Sequence, residues 1–224
     1  ELRNKNLIEN NEIIKNFIKN ENINIKKIDF YSDSQFSFKL DKKFKLNDLK
    51  FKSKLKLNHV IIVNNSDLKD FFPRANEQIE LFDHELDLNY YKDQFQVNGK
   101  GDILIQNNKD LINYSLNKKG NKFNFDTSII ITNNPLLISF LNFKKNDNLK
   151  TSIKIKGSKK ENKEIKLKYF HIKDEKNEIL FNDILLSNDY KLIKFKDIKL
   201  QYLDKEEQKN DLLIVNDKNN YLLS

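Results

Sequence analysis

The chain has 224 residues, 38% hydrophobic and 33% charged, and its 41 Lys and Arg against 33 Asp and Glu give a formal net charge of +8. The absence of Cys excludes a disulfide framework, a thiolate nucleophile and a thiolate zinc site. With 4 Gly and 2 Pro, collagen-like and Gly/Pro-rich readings fail, and no apolar stretch approaches the roughly 18–20 residues of a membrane helix.

Lys, Asn, Ile and Phe are abundant, while Ala75 is the lone alanine and Arg3 and Arg74 are the two arginines. This is the composition of an AT-rich coding sequence. The excess of Lys is therefore not by itself a pointer to nucleic acid. A chain that starts at Glu1 and contains no Met is expected to be a piece of a longer or processed protein. Any signal peptide or membrane anchor would then lie upstream.

In chain order, residues 5–20 space Leu7, Ile8, Ile13, Ile14, Phe17 and Ile18 near helical intervals and predict a short amphipathic helix. From Ile28 onward the dominant period is two. Phe36, Phe38 and Leu40 share one face. Leu49, Phe51, Leu55 and Leu57 then alternate with Lys50, Lys52, Lys54 and Lys56, a strand with one dry and one wet face. The stretch 67–93 carries eight acids against Lys69, Arg74 and Lys92 and predicts an acidic connection followed by a strand.

The middle of the chain is the most regular. Phe95, Val97, Gly99, Gly101, Ile103 and Ile105 fall on one side of a strand. DLINYSL follows, then a KKGN turn, and then Phe123, Phe125, Thr127, Ile129 and Ile131 in alternation. Pro135 starts the compact run LLISFL, where a helical turn is expected. The last third repeats the cadence. Ile153 and Ile155 lie in SIKIK, and Ile165, Leu167 and Tyr169 in EIKLKYFHI, with four further strand-like segments after them. The whole predicts a mainly β fold: a curved, twisted antiparallel β-sheet, groove-like or open barrel-like, with one or two short α-helices. The expected divisions are a helical segment at 1–27, a first β-section at 28–66, the acidic connection and strand at 67–93, and a main β-groove section at 94–224.

Candidate chemistry is sparse. His59, His84 and His171 stand at no zinc-type spacing, and His171 continues the apolar alternation, so each is read as structural. Asp83 and Glu85 share a strand face, which carboxylate catalysis needs, but exposed acids on strands are common. Gly99-Lys100-Gly101 sits inside a strand rather than before a helix, so it reads as room for a neighbour and not as a phosphate loop. Lys166 and Lys168 oppose Leu167 and Tyr169, whereas a single-strand-binding sheet puts cations and aromatics on one face. No enzyme activity, cofactor, metal or nucleic-acid partner is expected.

What remains is a long apolar face. It is either an ordinary core, as in a β-sandwich, or a partly open groove that suits a lipid tail. The segment VNGKGDILI, the following INYSL strand with its Gly turn, and KFNFDTSIIIT resemble the AsmA-like proteins, including the TamB-like and YhdP-like members of Gram-negative envelopes. The C-terminal series from SIKIKGSKK to KDIKLQYL is similar to them too. The resemblance covers roughly residues 28–215 and rests on alternation plus Gly99 and Gly101. It implies an internal section of an inner-membrane-anchored periplasmic protein of the cell envelope. Such a body is a repeating β-groove that shields phospholipid acyl chains between the two membranes. The expected partners are those acyl chains, flanking β-sections of the same longer chain, and the inner membrane through an anchor outside this segment. The expected lining is Phe95, Val97, Ile103 and Ile105, then Phe123, Phe125, Ile129 and Ile131, then Ile153, Ile155, Ile165, Leu167 and Tyr169. The alternative is a non-catalytic β-sandwich module of the envelope.

Overall fold

The computed structural model describes residues 24–63, 68–146, 149–160, 164–217 and 220–223. The helix expected at residues 5–20 lies outside them. The described chain is mainly antiparallel strand, as the period-two pattern predicts. Six long strands come first: β1 (Ile25–Leu40), β2 (Leu46–Val63), β3 (Gln78–Tyr91), β4 (Gln94–Leu104), β5 (Lys109–Lys119) and β6 (Lys122–Ile131). A small insertion follows, made of β7 (Leu137–Ile138), a 3-10 turn (Ser139–Leu141) and β8 (Phe143–Lys144). The ladder resumes with β9 (Thr151–Lys160), β10 (Ile165–Lys173), β11 (Glu178–Leu186), the short β12 (Leu192–Lys194), β13 (Asp197–Leu203), β14 (Lys209–Asp217) and β15 (Asn220–Leu223).

One sheet holds thirteen of these strands in the order β1-β2-β3-β4-β5-β6-β9-β10-β11-β13-β14-β15, with β12 beside β11. The order is that of the sequence, and β1 and β15 do not pair, so the sheet is not closed into a barrel. Only β7 and β8 pair off the ladder among the described residues. The expected helical turn after Pro135 is the 3-10 turn, reached one short strand later.

The acidic stretch becomes intelligible once paired. From residue 78 onward it is the strand β3, and its Glu85 and Asp87 stand opposite Lys56 and Lys54 of β2. Lys100 of β4 closes on Glu85 at 2.9 Å from the other side. The Lys run of one strand and the acids of the next are two halves of one cross-strand pattern.

Because connections alternate between the two ends of an antiparallel ladder, the ends differ in content. At one end residues 68–77 of the β2–β3 connection and the β7–β8 insertion fold over the apolar face. Phe71 accepts a hydrogen bond from the Leu137 amide at 3.0 Å, and Asn142 accepts one from the Lys205 amide at 3.0 Å. The insertion thus reaches from the β2–β3 connection across to the β13–β14 turn. Phe143, fully buried, meets Tyr202 of β13 edge-on at 5.7 Å, and the Tyr202 hydroxyl donates to the Leu141 carbonyl at 2.6 Å. We call this the capped end, and the opposite one the open end.

The cap is also pinned by buried polar groups. Asn134 donates to the Asn108 carbonyl at 2.6 Å and to Asp110 Oδ2 at 2.7 Å. Gln106 donates to the Pro135 carbonyl at 2.8 Å, and Lys145 Nζ donates to the Thr132 carbonyl at 2.8 Å. Burial pushes the Asp110 carboxyl above its ordinary range, against the opposing pull of the Asn134 hydrogen bond. Such groups cost stability unless paired, and here each is paired.

Candidate functional site: an apolar sheet face

The registers define rows that run across the strands on one face. Nearest the open end, Phe51, Tyr90 and Phe95 are cross-strand neighbours, continued by Lys118 and Phe123. The next row joins Val97, Leu116, Phe125, Gly157 and Leu167. Another joins Thr127, Ile155, Phe170 and Phe181. Nearer the cap, Gly101, Ile112, Ile129, Ile153, Ile172 and Ile179 line up across six strands. Side chains two apart along each strand share this face, so the rows form one largely apolar surface, interrupted by Lys118, Thr127 and Lys159.

Exposure divides the expected lining residues. Ile103, Ile105, Ile131 and Ile153 are buried at the capped end, in one cluster with Phe72, Leu136, Ile138 and Phe143. Val97 and Ile165 are buried as well. Phe95, Phe123, Phe125, Ile129, Ile155 and Leu167 are half-buried. Sequence reasoning took these positions as one lining; the cap separates a closed core from a less covered half.

Tyr169 needs correcting. Leu167 pairs with Gly157, but the next pair is Tyr169 with Lys156, a one-residue shift at Lys168. The bulge reverses the alternation, so Phe170 takes the apolar position, against Ile155 and Phe181, its ring 6.0 Å from that of Phe181. Tyr169 faces the other way, beside Lys156 and Asn182. His171 follows it to the polar face, where its Nε2 lies 3.1 Å from Glu178 Oε1. Lys199 and Lys173 also hold Glu178, at 2.7 and 3.2 Å, and these hydrogen bonds bring its pKa down to about 2.

The buried histidine is instead His84. Its Nε2 donates to the Asp102 carbonyl at 2.9 Å, and Tyr114 Oη lies 3.2 Å from Nδ1. Burial lowers the His84 pKa and raises that of Tyr114 to about 12, so the pair is neutral. Its ring lies over Gly101, where a Cβ would collide with it, and the Tyr114 ring lies over Gly99 in the same way. The two glycines make room for neighbours, as the sequence suggested. A bulge at Asp83, with φ of 51°, precedes His84 and turns it onto the apolar face.

A cleft of about 680 Å³ lies around the middle strands, and Phe125, Leu167 and Ile184 of the apolar register line it together with polar residues. Its walls include Asn117, Asn124, Asp126, Lys156, Lys166 and Lys168, which belong to the polar register. Lys156 pairs with Asp126 at 2.6 Å. Among the described residues no cluster of three or more His, Asp or Glu could hold a metal ion, and no helix is long and apolar enough to cross a membrane.

Compared with protein families, curated proteins and solved structures, the chain matches none.

Proposed function

We propose that the chain is a section of a lipid-handling β-groove, of the kind found in AsmA-like envelope proteins, in which phospholipid acyl chains lie along the open half of the apolar face. One observation carries the reading. The half-buried positions Phe95, Phe123, Phe125 and Leu167 continue the core rows toward the open end, and no second sheet covers them among the described residues. A tail of ~16 carbons gains on the order of 10 kcal/mol on leaving water for such a surface. No catalytic group is required. The edges of β1 and β15 are unpaired among the described residues, which suits pairing with flanking sections of a longer ladder. In this proposal the parent protein spans the periplasm from an inner-membrane anchor.

The test is photo-crosslinking. A photoreactive phenylalanine analogue is placed at Phe123 or Phe125, and at Asn124 or Ser158 on the polar face, in an envelope preparation. Lipid adducts are expected from the first pair and not from the second. Absence of adducts from both apolar positions, or equal labelling from the polar ones, refutes the groove.

A second reading is a non-catalytic structural module whose apolar face is simply a core. The fully buried Ile131, Leu136 and Phe143 favour it at the capped end. It requires the open half to be shielded from lipid, which the same experiment decides.

A further inference from the structure

The turns at the two ends of the ladder use one backbone design with different side chains. At the open end, the Asp41 amide donates to the Lys45 carbonyl at 3.1 Å and the Phe44 amide to the Asp41 carbonyl at 3.0 Å. The Asp41 carboxylate then accepts the Lys45 amide at 2.9 Å. The β11–β12 turn repeats this with Ser187, Tyr190 and Lys191. Ser187 donates to the Lys191 carbonyl at 2.9 Å, Tyr190 to the Ser187 carbonyl at 3.1 Å, and Lys191 to Ser187 Oγ at 3.0 Å. A third copy, Asp204–Gln208, closes at the capped end with Glu207 in the corresponding place.

The fourth residue of each turn is left-handed, with φ of 58° at Phe44, 62° at Tyr190 and 62° at Glu207. Gly or Asn ordinarily fills such a position, and a bulky side chain there is strained. Packing does not explain the aromatics, because Phe44 is 84% and Tyr190 70% exposed. Glu207 carries the same backbone strain, so what sets the open end apart is the exposed aromatic ring at this position.

The surroundings fit one partner. Lys42, Lys43 and Lys45 flank Phe44, and exposed Leu192 and Ile193 lie between Lys191 and Lys194 beyond Tyr190. Also at this end, Lys119, Lys122 and Lys160 stand directly opposite one another across β5, β6 and β9. Like charges in that arrangement repel, so the row is relieved by an anionic surface. The described turns of the capped end mix Asp70, Glu77, Asp174, Glu175, Glu206 and Glu207 with Lys69, Arg74, Lys176 and Lys205, whereas Lys42, Lys43 and Lys45 outnumber the single Asp41 at the Phe44 turn. Exposed aromatic and aliphatic tips among lysines match the headgroup region of an anionic bilayer, where rings insert and Lys pairs with acidic lipid.

We propose that the open end docks on an anionic membrane surface, with Phe44 and Tyr190 inserting at the headgroup level and the surrounding lysines facing acidic lipid. Docking is a property of the turn tips and holds whether or not acyl chains occupy the apolar face.

The experiment is vesicle co-sedimentation of the full chain. One vesicle is equal parts phosphatidylglycerol and phosphatidylcholine, the other phosphatidylcholine alone. Binding to the anionic vesicles is expected, weakening as salt rises. Replacing Lys42, Lys43 and Lys45 by Gln should lower affinity about five-fold per lysine. Phe44→Gly and Tyr190→Gly should each lower it about ten-fold. Gly suits a left-handed turn, so neither variant should lose thermal stability. Glu207→Gly, the same change at the other end, should bind as the parent does. Equal binding to both vesicles, unchanged binding by folded tip variants, or equal loss in Glu207→Gly overturns the proposal. So does tight binding of a single-stranded oligonucleotide that the Lys variants lose and Phe44→Gly keeps, because that assigns the lysines to nucleic acid. Lipid crosslinking inside the groove is read independently of all these outcomes.

Discussion

The bulge at Lys168 makes two adjacent residues exchange the roles that simple alternation gives them, and truncating each separately tests it. Full truncation of a buried Phe costs about 3–5 kcal/mol, the transfer term plus a cavity term. Phe170 is half-buried and its ring neighbours that of Phe181 at 6.0 Å. About half the burial term plus a ring pair worth roughly 0.5–1.5 kcal/mol gives a loss of about 2–4 kcal/mol for Phe170→Ala. Tyr169 lies on the polar face beside Lys156 and Asn182. Tyr169→Ala should therefore cost at most about 1 kcal/mol. Urea unfolding followed by far-UV circular dichroism measures both, a suitable probe because the chain is strand-rich and has no Trp. If Tyr169→Ala costs as much as Phe170→Ala, or more, strand β10 runs without a bulge and the face assignment beyond Leu167 is wrong.

Glu178→Gln removes the carboxylate that His171, Lys173 and Lys199 share, and at neutral pH it should cost about 1 kcal/mol, the scale of a partly exposed ion pair. The native pKa is depressed to about 2, so this stability is complete above the ordinary Glu range and disappears as pH falls through about 2. Parent and variant melting curves recorded down an acid series should converge there, and a constant gap at all pH values refutes the linkage. Gly101→Ala places a methyl group against the His84 ring and its backbone Cα, and overpacking of this kind costs about 1–3 kcal/mol. Combining it with His84→Ala should relieve part of the clash, so the two losses should be clearly non-additive in a double-mutant cycle of urea midpoints.

The regular part of the sheet was legible because its chemistry is repetitive. Leu49, Phe51, Leu55 and Leu57 alternate with four lysines, and the strand β2 follows that pattern across its first half. The bulges were not legible. Asp83 and Asp183 adopt left-handed φ of 51° and 47° inside strands, with no Gly or Pro to mark the break. A single extra residue inverts everything after it, which is why Tyr169 and His171 were assigned to the apolar face. The cap was also hidden. LLISFL reads as one more apolar run, and nothing local indicates that Phe143 will seat against Tyr202, 59 residues further along by the numbering (202 − 143). Asn134, next to Pro135, is fully buried and bonded to Asp110 and Asn108. Long-range satisfaction of that kind leaves no periodic trace in the sequence.

The division of the apolar face has a physical consequence. A single sheet in water must hide its dry side or lose the driving force for folding, because conformational entropy offsets nearly all that burial gains. Here the concealment is uneven. The insertion between β6 and β9 and the β2–β3 connection cover the rows through Ile103, Ile131 and Ile153, with satisfied polar groups locking them in place. Toward the other end Phe95, Phe123 and Phe125 remain half-buried, while Val97 and Ile184 in the Phe125 row are buried. A fold organised this way concentrates its stability at one end. The other end is then free to keep apolar side chains within reach of solvent, and strained aromatics at its tips, without unfolding the whole. That separation is what a surface needs if it is to exchange its apolar contacts with something other than itself.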